Sequence, residues 1–288
     1  MVADLHLHTV SSNDSELTVE CAFELAVKRG LDAIAITDHD GVDAIPAGRE
    51  ASERFGVALV PGVEIGASLD GRLVHMLAYS DQIDQPAMRR FLVEEVFSAQ
   101  RQSVVPMIDH LRKLGLPVSR ESYDAEVERG GALGSPLVRV LMRADFIDGP
   151  KAYRTKVLPL VPEDLMPKTT WPPLSRCVEA AHSIGALVSL AHPGAGGFFP
   201  VFDDESITEA ITAGIDAIEA IHPLHSPKQQ RYYKAVASHH GLFITGGSDY
   251  HGLAGHRAFG EPCIELPGPA PRGVVHLSAL LNELETGR

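Results

Sequence analysis

Apolar and polar positions follow two different periods in the first and last thirds of the chain. Short apolar runs bounded by turn residues are typical of strands, and the segments between them repeat their apolar residues at helical spacing. Thr18 and Gly30 flank the first such segment as typical helix caps. The predicted strands are 2–8, 32–37, 57–67, 72–80 and 215–223, and the segments 186–194 and 242–252 are each predicted to be a strand followed by a loop. The predicted helices are 18–30, 41–56 (interrupted by Pro46), 174–185, 203–214 and 226–241.

This alternation of strands and helices predicts an α/β fold. Because the strands are apolar along most of their length, we expect them to be buried on both faces, as in a parallel sheet that is open or closed into a barrel. The middle of the chain has a different pattern. Residues 85–115 form one long helical pattern, and 116–173 are irregular and rich in Pro and Gly, with a helix predicted at 136–144.

These patterns predict a barrel interrupted by an insertion. We assign residues 1–81 and 174–288 to the barrel and residues 82–173 to a mainly helical insertion that caps the substrate site. Neither part contains an internal repeat.

Composition narrows the class of protein. The chain has 288 residues, 44% of them hydrophobic and 22% charged, which is typical of a globular protein with a sizeable core. It has no apolar run long enough for a membrane span and no secretory signal pattern, so we expect no membrane partner. Its three cysteines are unpatterned, which favours reduced thiols and a cytoplasmic location. The net charge of −13 argues against an extended nucleic-acid surface, but a local pocket can still bind a nucleotide or a strand end.

The segment DLHLHT at 4–9 contains three ionisable residues on the first predicted strand. Asp4, His6 and His8 alternate with leucines, so all three lie on one face of the strand. Other predicted strands also carry or end in ionisable residues. They supply Asp38, His39 and Asp40 (TDHD), Glu64 (PGVE), His75 (VHMLAY), His192 (AHPG), His222 (AIHP), and Asp249 with His251 (GSDYHG). Since α/β barrels build their active sites at the carboxyl ends of strands, we expect these side chains to converge.

The residue types favour a site with several metal ions. Imidazole suits zinc, iron and manganese, and a carboxylate can bridge two ions that together stabilise phosphoryl transfer. No cysteine lies in these loops, which argues against a thiolate site or a cysteine nucleophile. Each motif alone also fits a capped core histidine or an ordinary turn, but the set together predicts a metal centre.

The motifs DLHLHT, TDHD, GVE, VHMLAY, AHP and GSDYHG, in this order and spacing, resemble the PHP (polymerase and histidinol phosphatase) superfamily. Within it, the chain looks most like stand-alone bacterial enzymes that act on nucleoside 3′,5′-bisphosphates and on the 5′ ends of short RNAs. The resemblance implies a distorted (β/α)₇ barrel with three divalent ions, Mn²⁺, Fe²⁺ or Zn²⁺, at its mouth.

The resemblance also implies a ligand set. The first ion is assigned to His6, His8, Glu64 and Asp249, the second to Glu64, His75 and His192, and the third to His39, His251 and an Asp after the first strand. The loop HTVSSNDSELT is one residue longer than the family pattern, so Asn13 or Asp14 falls at that Asp position. We choose Asp14, because an anionic oxygen suits a hard cation better.

The implied substrate contacts are less well matched. The family's R-x-H-x-A segment has no counterpart in GSPLVRVLM at 134–142. Arg139 and Arg143 are the nearest candidates for phosphate binding. Lys151, Arg154 and Lys168 are further alternatives in the same insertion.

The expected reaction is hydrolysis by a hydroxide that bridges the metal ions, which offset the charge of a phosphate. His222 and His225 are candidates for the general acid, and Asp40 is a candidate for orienting a ligand or the water. Asp4 is expected to orient an imidazole. Ser226 begins a helix that either offers N–H donors to a phosphate or is simply capped by Ser226.

Three alternatives remain open at this point. The first is a phosphatase for histidinol phosphate or another small monoester. The second is an amidohydrolase that cleaves C–N bonds, although such enzymes often need a carbamylated lysine and no predicted strand core holds one. The third is a non-catalytic accessory role, which normally occurs inside a much longer polymerase.

Overall fold

A computed structural model describes residues 1–12, 14–128, 136–149, 152–166, 171–197, 199–252, 257–266 and 277. In these residues, the strands form one eight-stranded sheet in the order β7-β6-β5-β4-β3-β2-β1-β8. The strands are β1 Val2–Asp4, β2 Ala33–Ile36, β3 Ala58–Leu69, β4 Arg72–Tyr79, β5 Leu187–Leu190, β6 Ala217–Ile221, β7 Phe243–Gly246 and β8 Ile264–Glu265.

The described α-helices lie between and after these strands. They are α1 Val19–Arg29, α2 Ile45–Phe55, α3 Pro86–Phe91, α4 Ser98–Lys113, α5 Arg120–Glu128, α6 Pro136–Arg143, α7 Leu174–His182, α8 Asp204–Thr212 and α9 Pro227–His240. Thr18 caps α1 by accepting a hydrogen bond from the Cys21 N–H, and Gly30 ends it in the left-handed conformation, as predicted. Pro46 does not interrupt α2, because it lies in the first turn, where its missing N–H has no helical partner.

The sheet closes on itself beyond the end of β1. The Leu5 N–H donates to the Gly246 carbonyl over 3.2 Å, and the His8 N–H donates to the Tyr250 carbonyl over 3.0 Å. The Asp249 N–H donates in turn to the His6 carbonyl over 2.8 Å. The predicted α/β barrel is therefore confirmed, and the strand after β7 is joined to the strand that begins with β1.

The sheet is not parallel throughout, which corrects the expectation for this part of the fold. β4 runs antiparallel to both β3 and β5, whereas β1–β2–β3 and β5–β6–β7 are parallel. Asp70 and Gly71 join β3 to β4 with positive φ angles of 49° and 73°, as in the two-residue turns that suit antiparallel hairpins. A turn this short cannot connect parallel neighbours.

The insertion consists mainly of helices, as predicted. The helical pattern at 85–115 corresponds to α3 and α4 joined by a π-helical segment, Leu92–Phe97, and the pattern at 136–144 corresponds to α6. Side chains from Val104 to Val161 form a hydrophobic cluster of their own, whereas those from Ile83 to Val96 pack into the core of the barrel. The domain division at 82 and 173 itself stays a prediction.

Candidate metal centre

The mouth of the barrel gathers the ionisable residues that the motifs supply. His6 and His8 follow β1, and their side chains alternate with Leu5 and Leu7, which pack in the hydrophobic clusters. Asp249 lies three residues after β7, opposite them across the closure of the sheet. These histidines and Asp249 are buried, which removes them from competing water.

One group of donor atoms surrounds a common point. His6 Nε2 and His8 Nε2 are 3.1 Å apart, and they lie 3.3 Å and 3.2 Å from Glu64 Oε2. Asp249 Oδ1 is 3.5 Å from His6 Nε2 and 3.2 Å from His8 Nε2. Four donors held at about 2.1 Å around a tetrahedral zinc ion would be about 3.4 Å apart, so this spacing fits a divalent ion.

The outward nitrogens of the same two histidines have their own partners. His6 Nδ1 lies 2.9 Å from Glu219 Oε1, and His8 Nδ1 lies 3.0 Å from Ser12 Oγ. A proton on Nδ1 of each ring leaves the Nε2 lone pair free to bind a metal ion, which is the usual arrangement around metal-bound histidines. The donor set and its supports therefore fit a cation.

A second group lies on the other oxygen of Glu64. Its Oε1 is 2.9 Å from His75 Nδ1 and 2.9 Å from His192 Nε2. The two oxygens of Glu64 therefore face different groups of histidines, and each would be available to a separate ion.

A third group is centred on Asp14. Its Oδ2 lies 3.3 Å from His39 Nε2 and 3.1 Å from His251 Nε2, and His39 Nδ1 lies 3.0 Å from Glu64 Oε2. Asn13, the alternative in the register of this loop, lies outside the described residues. The geometry thus brings Asp14 to both histidines with which the resemblance grouped it.

His75 reaches the centre by a different route from the other ligands. It lies in the first half of β4, opposite Gly66 of β3, and not at a strand's carboxyl end. Since β4 is antiparallel, its first half is at the mouth where the parallel strands end. Phe199 covers this side of the centre, with its ring 4.7 Å from that of His75 and 4.9 Å from that of His192.

The charges of the centre suit cation binding. Burial alone would raise the pKa of Glu64, but the neighbouring His39, His75 and His6 hold it well below its usual range. The pKa of Asp249 is also lowered, because His6, His222 and His8 outweigh the effect of burial. Burial lowers the pKa of His75 to about 4, which favours the neutral imidazole that metals bind.

Three predicted residues contact the backbone or the ligands of the centre. Asp40 Oδ1 accepts a hydrogen bond from the Gly66 N–H over 2.8 Å, so it joins the loop after β2 to β3. His222 Nδ1 accepts from the Leu224 N–H, which places the ring proton on Nε2, 3.2 Å from Asp249 Oδ2.

Asp4 accepts hydrogen bonds from Ser248 and from the His6 N–H, and burial raises its pKa to about 6.

Two other predicted residues, His225 and Ser226, make hydrogen bonds that hold local structure. His225 Nε2 accepts from the Gly194 N–H over 2.9 Å, and its Nδ1 donates to the Ala220 carbonyl over 3.2 Å. Both ring nitrogens therefore hold loops together, which favours a structural role over the general acid. Ser226 caps α9 in a reciprocal pair with Gln229, which favours the capping interpretation.

Arg139 and Arg143, the two arginines predicted to bind phosphate, are both paired with one buried carboxylate, Glu126. Arg139 Nε lies 3.0 Å from Glu126 Oε2, and Arg143 Nε lies 2.6 Å from Glu126 Oε1. These contacts tie α5 to α6, and they do not by themselves direct either arginine to the metal centre. Lys151 and Lys168 lie outside the described residues, as does the side chain of Arg154.

Sequence reasoning missed three residues that contact the proposed ligands. Glu219 holds His6 and also accepts from the His192 N–H over 2.7 Å. A lone carboxylate in the apolar strand AIEAI was a signal that could have identified it. Ser12 and Arg257 contact His8 and Asp249, respectively, but no local pattern marks them.

Comparison with known proteins places this geometry in a family. The model of the PHP domain matches residues 4–117. A phosphoribosyl 1,2-cyclic phosphate 1,2-diphosphodiesterase of Eggerthella lenta is 30% identical over 265 residues, which cover 88% of this chain and 96% of that protein. The chain belongs to the PHP family. The predicted family and the predicted class, a hydrolase of phosphoric esters, are thereby confirmed.

Two further PHP relatives support the same class. The 5′-3′ exoribonuclease Rnm of Salmonella typhimurium is 29% identical over 259 residues, covering 87% of this chain and 85% of that one. A solved structure from Bifidobacterium adolescentis, described as a metal-dependent phosphoesterase, is 26% identical with a TM-score of 0.71 and covers 90% of this chain and 91% of that chain. Within the described residues, the search for membrane-spanning helices finds none of sufficient length and apolarity.

Proposed function

We propose that this PHP protein hydrolyses phosphate esters of ribose compounds, namely nucleoside 3′,5′-bisphosphates or the 5′ ends of short RNAs, with three divalent ions. The observation that carries the proposal is the position of Glu64, whose two oxygens face separate groups of histidines. Nitrogen and oxygen donors without thiolates favour Mn²⁺, Fe²⁺ or Zn²⁺.

The metal set follows from the three groups of donors. His6, His8, Glu64 and Asp249 would hold one ion, Glu64 with His75 and His192 a second, and Asp14 with His39 and His251 a third. When bound, such ions offset the charge of the phosphoryl oxygens and make a water molecule acidic enough to attack phosphorus.

The chain's own residues would position the histidine rings and protonate the leaving group. Glu219 and Ser12 fix the rings of His6 and His8, so their Nε2 atoms stay directed at the centre. His222 holds a proton on Nε2 beside Asp249, which makes it our candidate for protonating the leaving oxygen. Cys21, Cys177 and Cys263 are free thiols, which supports the proposed cytoplasmic location.

The test is product release in the presence of Mn²⁺. We expect phosphate from adenosine 3′,5′-bisphosphate, or mononucleotides from a 5′-phosphorylated short RNA, and we expect Asp249→Asn to abolish either product. His240→Ala, on the exposed end of α9, is the matched control and should retain full activity. A metal-loaded protein that hydrolyses no phosphoester would refute the proposal.

A second candidate has its own support. The Eggerthella lenta relative acts, by its name, on a cyclic phosphate of ribose, and it aligns with nearly the whole of both chains. Ribose 1,2-cyclic phosphate 5-phosphate therefore belongs in the same panel, with histidinol phosphate as the small-monoester alternative. Turnover of the cyclic compound alone would replace the nucleotide proposal with this one.

A further inference from the structure

Arg257 brings a permanent positive charge into contact with the metal centre. Its Nη1 forms an ion pair with Asp249 Oδ2 and donates to the Asp249 carbonyl over 2.8 Å. Asp249 Oδ1 faces His6 and His8, whereas its Oδ2 meets both the guanidinium and His222 Nε2. Arg257 is therefore in direct contact with a residue that we propose as a metal ligand.

The guanidinium has donors that these contacts do not use. Both contacts come from Nη1, whereas arginine carries five N–H groups in a planar fork. In the part of the chain that the structure describes, the edge formed by Nε and Nη2 has no acceptor. The side chain is 26% exposed, so a ligand entering the mouth can reach it.

The chemistry of that edge matches a phosphate. Two parallel N–H groups pair with two phosphoryl oxygens, and such charge-assisted pairs are stronger than neutral hydrogen bonds. The two arginines that the sequence suggested for this role, Arg139 and Arg143, are paired with Glu126 instead. Arg257 also follows GSDYHG closely in the chain, so the loop that supplies Asp249 and His251 would supply a phosphate contact as well.

We propose that Arg257 binds two non-bridging oxygens of the substrate's phosphate through its Nε and Nη2 edge, while Nη1 remains on Asp249. This inference rests on the proposed phosphoesterase function and deepens it, because it assigns a phosphate-binding residue to the same site. A role limited to holding Asp249 in place is the competing interpretation, and it predicts a loss of metal binding when Arg257 is changed.

The experiment compares Arg257→Lys and Arg257→Gln with wild type. Lysine keeps the charge but loses the planar fork, and glutamine loses the charge as well. Three quantities are measured: metal ions per chain, the inhibition constant of inorganic phosphate, and KM and kcat for the best substrate of the panel. Arg54→Gln is the matched control, since Arg54 is an exposed arginine paired with Glu20 and belongs to none of the groups of possible metal ligands.

We expect both Arg257 variants to keep the wild-type metal content and to weaken phosphate inhibition about 10- to 100-fold, with lysine the milder change. KM should rise in parallel. Unchanged phosphate inhibition would overturn the inference, and so would a loss of metal ions large enough to account for the change. If wild type itself hydrolyses no phosphoester, the proposed function has failed, whereas an active wild type with unaffected variants refutes only the role of Arg257.

Discussion

Individual residues show why the ligands could be predicted more easily than their supports. A proposed ligand such as His6 or Asp249 stands in a short motif at a strand end, where its type and spacing are visible in the sequence. Glu219 lies 213 residues from the His6 ring that it holds, and Arg257 follows no recognisable pattern. A lone carboxylate in an apolar strand marks Glu219 as unusual, but the residue that it contacts depends on how distant strands come together, so local patterns do not reveal the contact.

Glu219 gives a direct test of the supporting contacts. Glu219→Gln keeps the shape of the side chain but loses the charge that favours a proton on His6 Nδ1. We expect metal binding about 10- to 100-fold weaker, measured by competition with a chromogenic chelator. Glu24→Gln, on the exposed face of α1, is the control. Equal affinities for all three proteins would show that Glu219 has no part in the centre.

Asp14 tests the register of the loop after the first strand. We expect Asp14→Ala to bind one ion fewer per chain, because His39 and His251 lose their shared carboxylate. Asn13→Ala should keep the full number. Elemental analysis of both variants decides the matter, and a loss confined to Asn13→Ala would reverse the assignment.

At the scale of elements, the direction of β4 was the main error, although the sequence held the signal. Asp70-Gly71 stands between two strand patterns, and such a dipeptide is typical of a hairpin. The alternation of strands and helices in the rest of the chain favoured a parallel sheet, so this hairpin signal was not used. The helices were predicted well because their caps, such as Thr18 and Gly30, act locally.

The end of β3 is covered by a second element that fits only because Gly66 has no side chain. A Cβ on Gly66 would lie 2.4 Å from the ring of Trp171, and the Ser68 N–H holds this segment by donating to the Pro172 carbonyl over 2.8 Å. Trp171 is the single tryptophan of the chain, so its emission reports on this contact.

We therefore expect Gly66→Ala to displace Trp171 and to lower the free energy of unfolding by about 1–3 kcal/mol. Urea denaturation followed by tryptophan fluorescence measures the change, and the native emission should shift as the ring moves. Gly149→Ala is the control, because a Cβ there meets nothing within 4 Å and its φ is not positive. A variant as stable as wild type, with unchanged emission, would contradict this view of the contact.

At the scale of the whole molecule, the candidate centre brings many carboxylates and imidazoles close together. Without a bound cation, groups of like charge in this cluster repel one another. Glu64, Asp249 and Asp14 lie within one cluster of six histidines, inside a protein of net charge −13. Bound divalent ions should therefore stabilise the folded chain in addition to serving the reaction.

Removal of the ions by a chelator should reveal this stabilisation of the folded chain. Treatment with EDTA is expected to lower Tm, and re-addition of Mn²⁺ at about a hundred times its Kd should restore about 3 kcal/mol per site that binds only the folded state. Differential scanning calorimetry at constant pH and ionic strength makes the measurement, and EDTA already saturated with Mn²⁺ is the control for the chelator. A Tm that does not respond to either step would argue against metal binding by the native fold.

The closure of the barrel also has a consequence for how the protein is made. Asp4 and Ser248 are joined by hydrogen bonds across 244 residues, and the histidines beside Asp4 share their site with Asp249. During synthesis, β1 leaves the ribosome long before the segment around Ser248 and Asp249 is made. The sheet therefore stays incomplete until the end of synthesis. Contacts this distant in sequence slow folding, and the proposed set of ligands is complete only after almost the whole chain has emerged.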